Sequence, residues 1–366
     1  MADPALDIPS EMLAVQVVRY NKPLAIHKIP TPSVSKLGPY DLLLRTAVAS
    51  LCHTDLMVHA GIFPGPLPLT MSHEGTGVVV AKGDAVKDYQ LGDRVLSGLP
   101  FHQCGKCEHC NPSDGQDWAQ YCQAAEGATG IKSDGAFAEY HVVDARASCK
   151  IPDNVSFVTA APLACAGVTV YRAILVSGVK EGGWMALVGA GGGLGHFGIQ
   201  FAKAKGINVI AIEAREEGLE VAKKAGAEHL LDAREGKDKI VEKVQALTGG
   251  KGVEATVNVS DHSSTAALSA AITRMHGTVV QAAQPQEVSV PFMDIVLRDI
   301  TIKGTMLGGR GVTQEMLEVA SKHGVTAETQ VFYGLEEVPK MIELSESGRL
   351  KGKAVCVVDK KIAGMT

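Results

Sequence analysis

The run Trp184-Met185-Ala186-Leu187-Val188-Gly189-Ala190-Gly191-Gly192-Gly193-Leu194-Gly195 decides the fold of this chain. Its first five residues are apolar and suit a short buried strand, and the glycines after them permit a tight turn. Beyond the turn, Leu194, Phe197, Gly198, Phe201 and Ala202 recur at helical spacing, and Gly206 closes the run. Strand, glycine turn and helix in this order hold a pyrophosphate against backbone N–H groups at a helix N-terminus. An acid belongs at the end of the next strand, and Glu213 closes Asn208–Ile212. Its carboxylate accepts hydrogen bonds from a ribose diol and repels a 2′-phosphate, which points to NAD. Arg215, two residues on, could hold that phosphate instead, so NADP stays open. Further strands are expected at His229–Leu231, Glu254–Val257 and Thr278–Ala282. They alternate with amphipathic runs, the pattern of a doubly wound parallel sheet.

Upstream the period changes. Residues 12–20, Asp41–Val48, Gly75–Val80 and Gly92–Leu96 read as strands, with Pro23, Pro30, Pro32 and Pro39 marking turns. The only helical signal is a short one from Thr54 to His59. This part reads as a partly open β-barrel whose loops carry chemistry. Strands at Ile300–Gly304 and Ala354–Val358 frame the last part of the chain, which is expected to return to the barrel. The organisation expected is therefore a first domain over 1–165, a second over 166–305 and a returning segment over 306–366.

At 366 residues the chain exceeds one typical core. A formal charge of −5 argues against nucleic acid or an anionic membrane as partner. No run of eighteen apolar residues occurs, and Met1-Ala2-Asp3-Pro4 lacks a basic, then apolar, leader. The expectation is a cytoplasmic chain with free thiols.

The eight cysteines divide by spacing. Cys104, Cys107 and Cys110 stand two residues apart, a metal knuckle that needs a fourth ligand, with Cys122 the first candidate and Cys149 the second. Four thiolates close a tetrahedron, so this site is structural. A second constellation is scattered. Cys52, His73 and Cys165 supply two thiolates and one imidazole, the three-ligand set of a catalytic zinc with one open position. Asp55 is placed to orient the His73 ring, Glu74 offers a spare carboxylate, and the Thr54 hydroxyl can take a proton from an alcohol.

These motifs resemble the zinc-dependent medium-chain alcohol dehydrogenases, most closely the yeast-type enzymes, over nearly the whole chain. The resemblance is carried by Cys-His-Thr-Asp at 52–55, His-Glu-Gly at 73–75, Gly-Asp-Arg-Val at 92–95 and the cysteine knuckle. It continues through Cys165-Ala166-Gly167-Val168-Thr169-Val170-Tyr171, the turn at 189–195 and Gly-Arg-Leu-Lys-Gly-Lys at 348–353. It implies a GroES-like catalytic domain beside a Rossmann domain, two zincs per chain, and an alcohol or aldehyde substrate bound in the cleft between the domains. It also implies that His53 and Lys353 contact the cofactor pyrophosphate, that Thr169 lies near the nicotinamide, and that Glu74 joins the metal transiently. Relatives of this type form homotetramers.

Several positions depart from the family pattern. Met57 stands where a relay histidine is usual, with His59 two residues further. Lys353 replaces an arginine, and Ser72 replaces the glycine before His-Glu. The gap between Cys110 and Cys122 is longer than usual, which makes Asp114 and Asp117 competing ligands. Phe63 and Leu99 fall where ethanol-preferring enzymes carry tryptophan, which implies a roomier pocket and a primary alcohol larger than ethanol. The competing readings are a polyol or secondary-alcohol dehydrogenase, an NADP-preferring aldehyde reductase and, more remotely, a zinc-free quinone-reductase-like or catalytically silent relative.

Overall fold

The computed structural model describes residues 8–116 and 118–365. The chain divides into two compact units. One holds the described residues of Met1–Cys165, Gly308–Ser321 and Thr329–Thr366, the other Ala166–Leu307 and Lys322–Glu328.

In the first unit, Asp41–Ser50 is the central strand of an antiparallel sheet. Glu74–Lys82 and Lys353–Val357 pair with it on its two sides, and Tyr140–Asp144 also pairs with it. Its apolar run shows no alternation because both faces are covered. Leu42 and Leu44 pack with Val79, Tyr89 and Val143, while Leu43 packs with Met12, Ala14 and Val80. A smaller sheet pairs Glu11–Val17 with Ala25–Pro30 and Leu69–Thr70. Together these strands form the partly open barrel. The strand expected over 12–20 stops at Val17, and Asn21 then turns the chain at φ +57°. Register places the chemistry. Ser50 pairs with Glu74 on one side and with Val355 on the other, so Cys52, His73 and Lys353 all lie at one end of the central strand.

The second unit is a six-stranded sheet, parallel throughout. Its order is His229–Asp232, Asn208–Glu213, Trp184–Val188, Val253–Asn258, Thr273–Gln281, Thr301–Gly304. Chain order leaves Trp184–Val188 first to one side and then to the other, which makes its carboxyl end the switch point where such sheets bind ligands. Helices Gly195–Ala204, Glu216–Lys224, Lys237–Leu247 and Thr265–Ile272 link the strands. Ala186, Val188, Ile210, Ile212, Ile240 and Val244 share one core. The edge strand Thr301–Gly304 is exposed along its length, and Phe292 and Val296 beside it in sequence are each 69% exposed.

The run Phe157–Ser177 is long and apolar enough to cross a membrane by composition alone. It is 83% buried inside the protein over its most apolar window, which accounts for that composition. It is not uniformly α-helical. Pro162 lacks the N–H that would continue the ladder, and Leu163–Gly167 follows as a π-turn carrying Cys165.

Candidate functional site

The central strand ends at Ser50, and Cys52 then opens the helix His53–His59. Asp55 organises this entry. Its Oδ2 accepts the Cys52 N–H at 2.8 Å, its Oδ1 accepts the Ser72 N–H at 3.1 Å, and Oδ1 lies 3.6 Å from His73 Nδ1. One buried carboxylate thus ties the Cys52 loop to the His73 loop. Ser72 holds φ at +74°, a conformation that favours glycine, while its hydroxyl donates to the Ser50 carbonyl and accepts from the Glu74 N–H. Those two bonds hold the serine in that conformation.

The donor atoms of Cys52, His73, Glu74 and Cys165 all lie within 4.8 Å of one another. Both ring nitrogens of His73 are buried without a hydrogen-bond partner. Burial without partners is costly, so two sulfurs and an unpartnered imidazole at this spacing fit a soft-to-borderline cation such as zinc. The local charges agree. The hydrogen bond from Cys165 draws the Cys52 thiol well below its ordinary range against the cost of burial, and Cys165 is pushed well above it. Burial lowers the affinity of His73 for a proton, but the Cys52 and Asp55 charges more than offset this and leave it raised. Burial pushes Glu74 up to about 7 despite Lys353 beside it. The group thus gathers protons that a divalent ion would displace.

Lys353 is buried here, its Nζ 2.9 and 2.6 Å from the two carboxylate oxygens of Glu74. Its ammonium is engaged by the Glu74 carboxylate inside the site. Thr54 is half-buried, with its Oγ1 3.8 Å from Cys52 Sγ, and His53 is exposed on the same helix turn. The His59 Nε2 bonds the Lys22 carbonyl at 2.7 Å, and Met57 offers no proton acceptor. Phe63 and Leu99 are half-buried on loops. A feature invisible in the motif reading lies behind Gly75. The His141 ring bonds Thr46 Oγ1 and Ser97 Oγ, each at 2.8 Å, and a Cβ on Gly75 would stand 2.9 Å from His141 Nε2. Burial holds His141 down to about 3, so the ring is neutral and braces the strand start next to Glu74.

The knuckle gathers Cys104, Cys107, Cys110 and Cys122, again within 4.8 Å of one another, at half-buried positions. Cys104 Sγ accepts the Cys107 N–H at 3.4 Å, and Cys122 Sγ accepts the Cys104 N–H at 3.5 Å. Cys149 is elsewhere, its thiol donating to the Arg310 carbonyl. The Asp114 carboxylate accepts from Trp118 Nε1 and the Gln116 N–H, and Asp117 lies outside the described residues.

In the second unit, the turn at 189–195 follows Trp184–Val188, with Gly189 at φ +86°. Gly191, Gly192, Gly193 and Leu194 lead into the helix that begins at Gly195. Glu213 closes its strand facing inward: its carboxylate accepts the N–H groups of Gly191, Ala214 and Arg215 at 2.9 to 3.0 Å. Thr169 is buried, and its hydroxyl accepts the Leu307 N–H at 3.1 Å.

A doubly wound parallel sheet with a glycine-rich turn at its switch point, and a barrel unit with two thiol-rich clusters able to hold metal ions, are the parts of this chain suited to dehydrogenase chemistry. Residues 38–153 match the alcohol dehydrogenase GroES-like domain, and residues 193–322 match the zinc-binding dehydrogenase domain. The chain is 37% identical over 354 residues to an alcohol dehydrogenase of Geobacillus stearothermophilus, covering 95% of this chain and 100% of that one. It is 34% identical over 354 residues to alcohol dehydrogenase 1 of Emericella nidulans, covering 96% and 99%. The crystal structure of the alcohol dehydrogenase from the hyperthermophilic archaeon Aeropyrum pernix matches with a TM-score of 0.83 at 30% identity, covering 94% of this chain and 99% of that one. The chain belongs to the zinc-type medium-chain alcohol dehydrogenase family. It is an oxidoreductase of the alcohol dehydrogenase kind.

Proposed function

We propose that the chain interconverts primary alcohols larger than ethanol and the matching aldehydes with NAD, using zinc held by Cys52, His73 and Cys165. The observation that carries this reading is the convergence of those donors with Glu74, around an imidazole whose two nitrogens have no hydrogen-bond partner. When bound there, zinc supplies Lewis acidity toward an alcohol or carbonyl oxygen. The chain's own residues do the rest. Asp55 orients the imidazole, Lys353 holds the Glu74 carboxylate, which would be the further donor to such an ion, and Thr54 Oγ1 takes the substrate proton. Met57 offers no acceptor to pass this proton on, and the Nε2 of His59 is bonded to the Lys22 carbonyl.

Cys104, Cys107, Cys110 and Cys122 hold a second, structural zinc. The catalytic domain is 1–165 with the returning segment 306–366, apart from 306–307 and Lys322–Glu328, which group with the second unit. The stretch 166–305 binds the cofactor through the 189–195 turn, Glu213 and Thr169, with His53 near its phosphates. Phe63 and Leu99 are assigned to a roomier substrate pocket from the sequence resemblance. A reducing, cytoplasmic setting is proposed from the sequence. The exposed apolar residues Phe292, Met293, Val296 and Leu297 support a homo-oligomer, with a homotetramer proposed from the family.

A panel from short to aromatic alcohols and aldehydes, run with NAD and with NADP alongside zinc analysis, tests this. Two zincs per chain, NAD preference and faster turnover beyond ethanol are expected. Fewer than two zincs, or equal use of NADP, overturns the corresponding part.

A further inference from the structure

The cofactor reading leaves one residue unaccounted for. Gly218 is buried within the helix Glu216–Lys224, where alanine is the better helix former. The close approach of Glu213 explains its presence, and the neighbouring Gly191 is constrained in turn by the Gly218 carbonyl. A Cβ on Gly218 would stand 2.4 Å from Glu213 Cδ and 2.6 Å from its Oε2. A Cβ on Gly191 would in turn stand 1.8 Å from the Gly218 carbonyl oxygen. Side-chain carbons do not approach so closely, so the two backbones and the carboxylate fit only with glycine at both positions.

Hydrogen bonds complete the clasp. Glu213 Oε2 accepts the Gly191 N–H at 2.9 Å, and Oε1 accepts the Ala214 and Arg215 N–H groups at 2.9 and 3.0 Å. Glu213 is only 5% exposed. Of the roughly four acceptor positions on a carboxylate, three are used, which leaves about one for a ribose hydroxyl. A carboxylate held by three N–H groups cannot swing out of the way of an incoming phosphate. Arg215, with its Nε 3.7 Å from Oε1, cannot draw it aside without breaking those bonds.

We infer that Gly218 is a specificity-determining residue for the dinucleotide. By lacking a side chain it lets Glu213 lie fixed against the Gly-rich turn, where the negative charge favours a free 2′-hydroxyl over a 2′-phosphate. The inference rests on the reading of Glu213 as the ribose-facing acid. It assigns to position 218, which touches no cofactor atom in that reading, a role exerted through Glu213.

The test is calorimetric binding of NAD and of NADP to the zinc-loaded full chain. The wild type should bind NAD at least about tenfold more tightly, the size of one hydrogen bond to a charged group. Gly218→Ala should reduce that preference about tenfold, by weakening NAD and leaving NADP little changed. Glu213→Gln should also reduce it, and the double variant should lose no more than Glu213→Gln alone, because both changes act on one carboxylate. A wild type without NAD preference overturns the reading of Glu213, and the inference with it. A wild type with that preference, beside a Gly218→Ala variant that keeps it or weakens both dinucleotides equally, overturns the inference alone. Should Gly218→Ala not fold, Glu213→Asp, one methylene too short to reach Gly191 from the same place, must show the same loss. Full preference in that variant overturns the clasp.

Discussion

The two cysteine clusters of the first unit solve one problem, holding sulfur donors together, by opposite means. The knuckle draws Cys104, Cys107 and Cys110 from one short loop and adds Cys122, and its sulfurs accept backbone N–H groups from within that loop. It is half-exposed, and its four donors are alike. The other cluster draws Cys52, His73 and Cys165 from three separate stretches, buries most of its polar atoms, and mixes sulfur, nitrogen and oxygen. Its parts are held by strand register, by Asp55 and by the Glu74–Lys353 pair. A local loop suits a closed structural site, whereas long-range assembly leaves room for an open position beside a substrate.

The sharpest way to break this comparison is to remove one sulfur from each cluster. Cys52→Ala should lose one zinc and cut turnover by about 10³-fold or more, the loss of several kcal/mol of Lewis-acid stabilisation. Cys122→Ser should also lose one zinc, but it should lower the thermal midpoint while the chains still folded keep turning over. Metal analysis with activity and melting curves on both variants decides it. If the two variants behave alike, the division of labour is wrong.

Removal of one partner of the buried pair comes next. Lys353→Met leaves Glu74 without a counter-charge in a dry site, and denaturant melts should show a loss of about 3 kcal/mol or more. Pairing it with Glu74→Gln should recover a large part of that loss, since the uncompensated charge is then gone. No recovery would mean that Lys353 contributes through packing. The smallest effect is expected at Asp55. Asp55→Asn keeps the shape but removes the charge beside His73, and chelator competition should show zinc affinity reduced about 10- to 100-fold at the mixed cluster. The knuckle should hold its zinc unchanged, and weakening of both sites would point to general loosening of the barrel.

Legibility followed the same division. The knuckle could be read from spacing because its ligands share one loop, although its fourth member could not, since Cys122, Cys149, Asp114 and Asp117 were all within reach along the chain. The Gly-rich turn was legible because strand, turn and helix are consecutive. The mixed cluster could be named from residue types and motif order, but nothing in the sequence around Cys165 announces the π-turn that carries it. His141 gave no signal at all, because its partners Thr46, on the central strand, and Ser97, just past the strand Arg94–Leu96, meet it only through the barrel.

Sequence alone therefore determined the two-part architecture, the glycine turn, the knuckle and the candidate zinc ligands, because each rests on a period, a spacing or a donor type carried by neighbouring residues. Tertiary structure decided how those parts are used. It turned Lys353 inward onto Glu74, folded Glu213 onto Gly191 and set Ser72 at positive φ. Each of these is a contact between residues far apart in the chain or a backbone angle imposed by packing, and neither has a period to read.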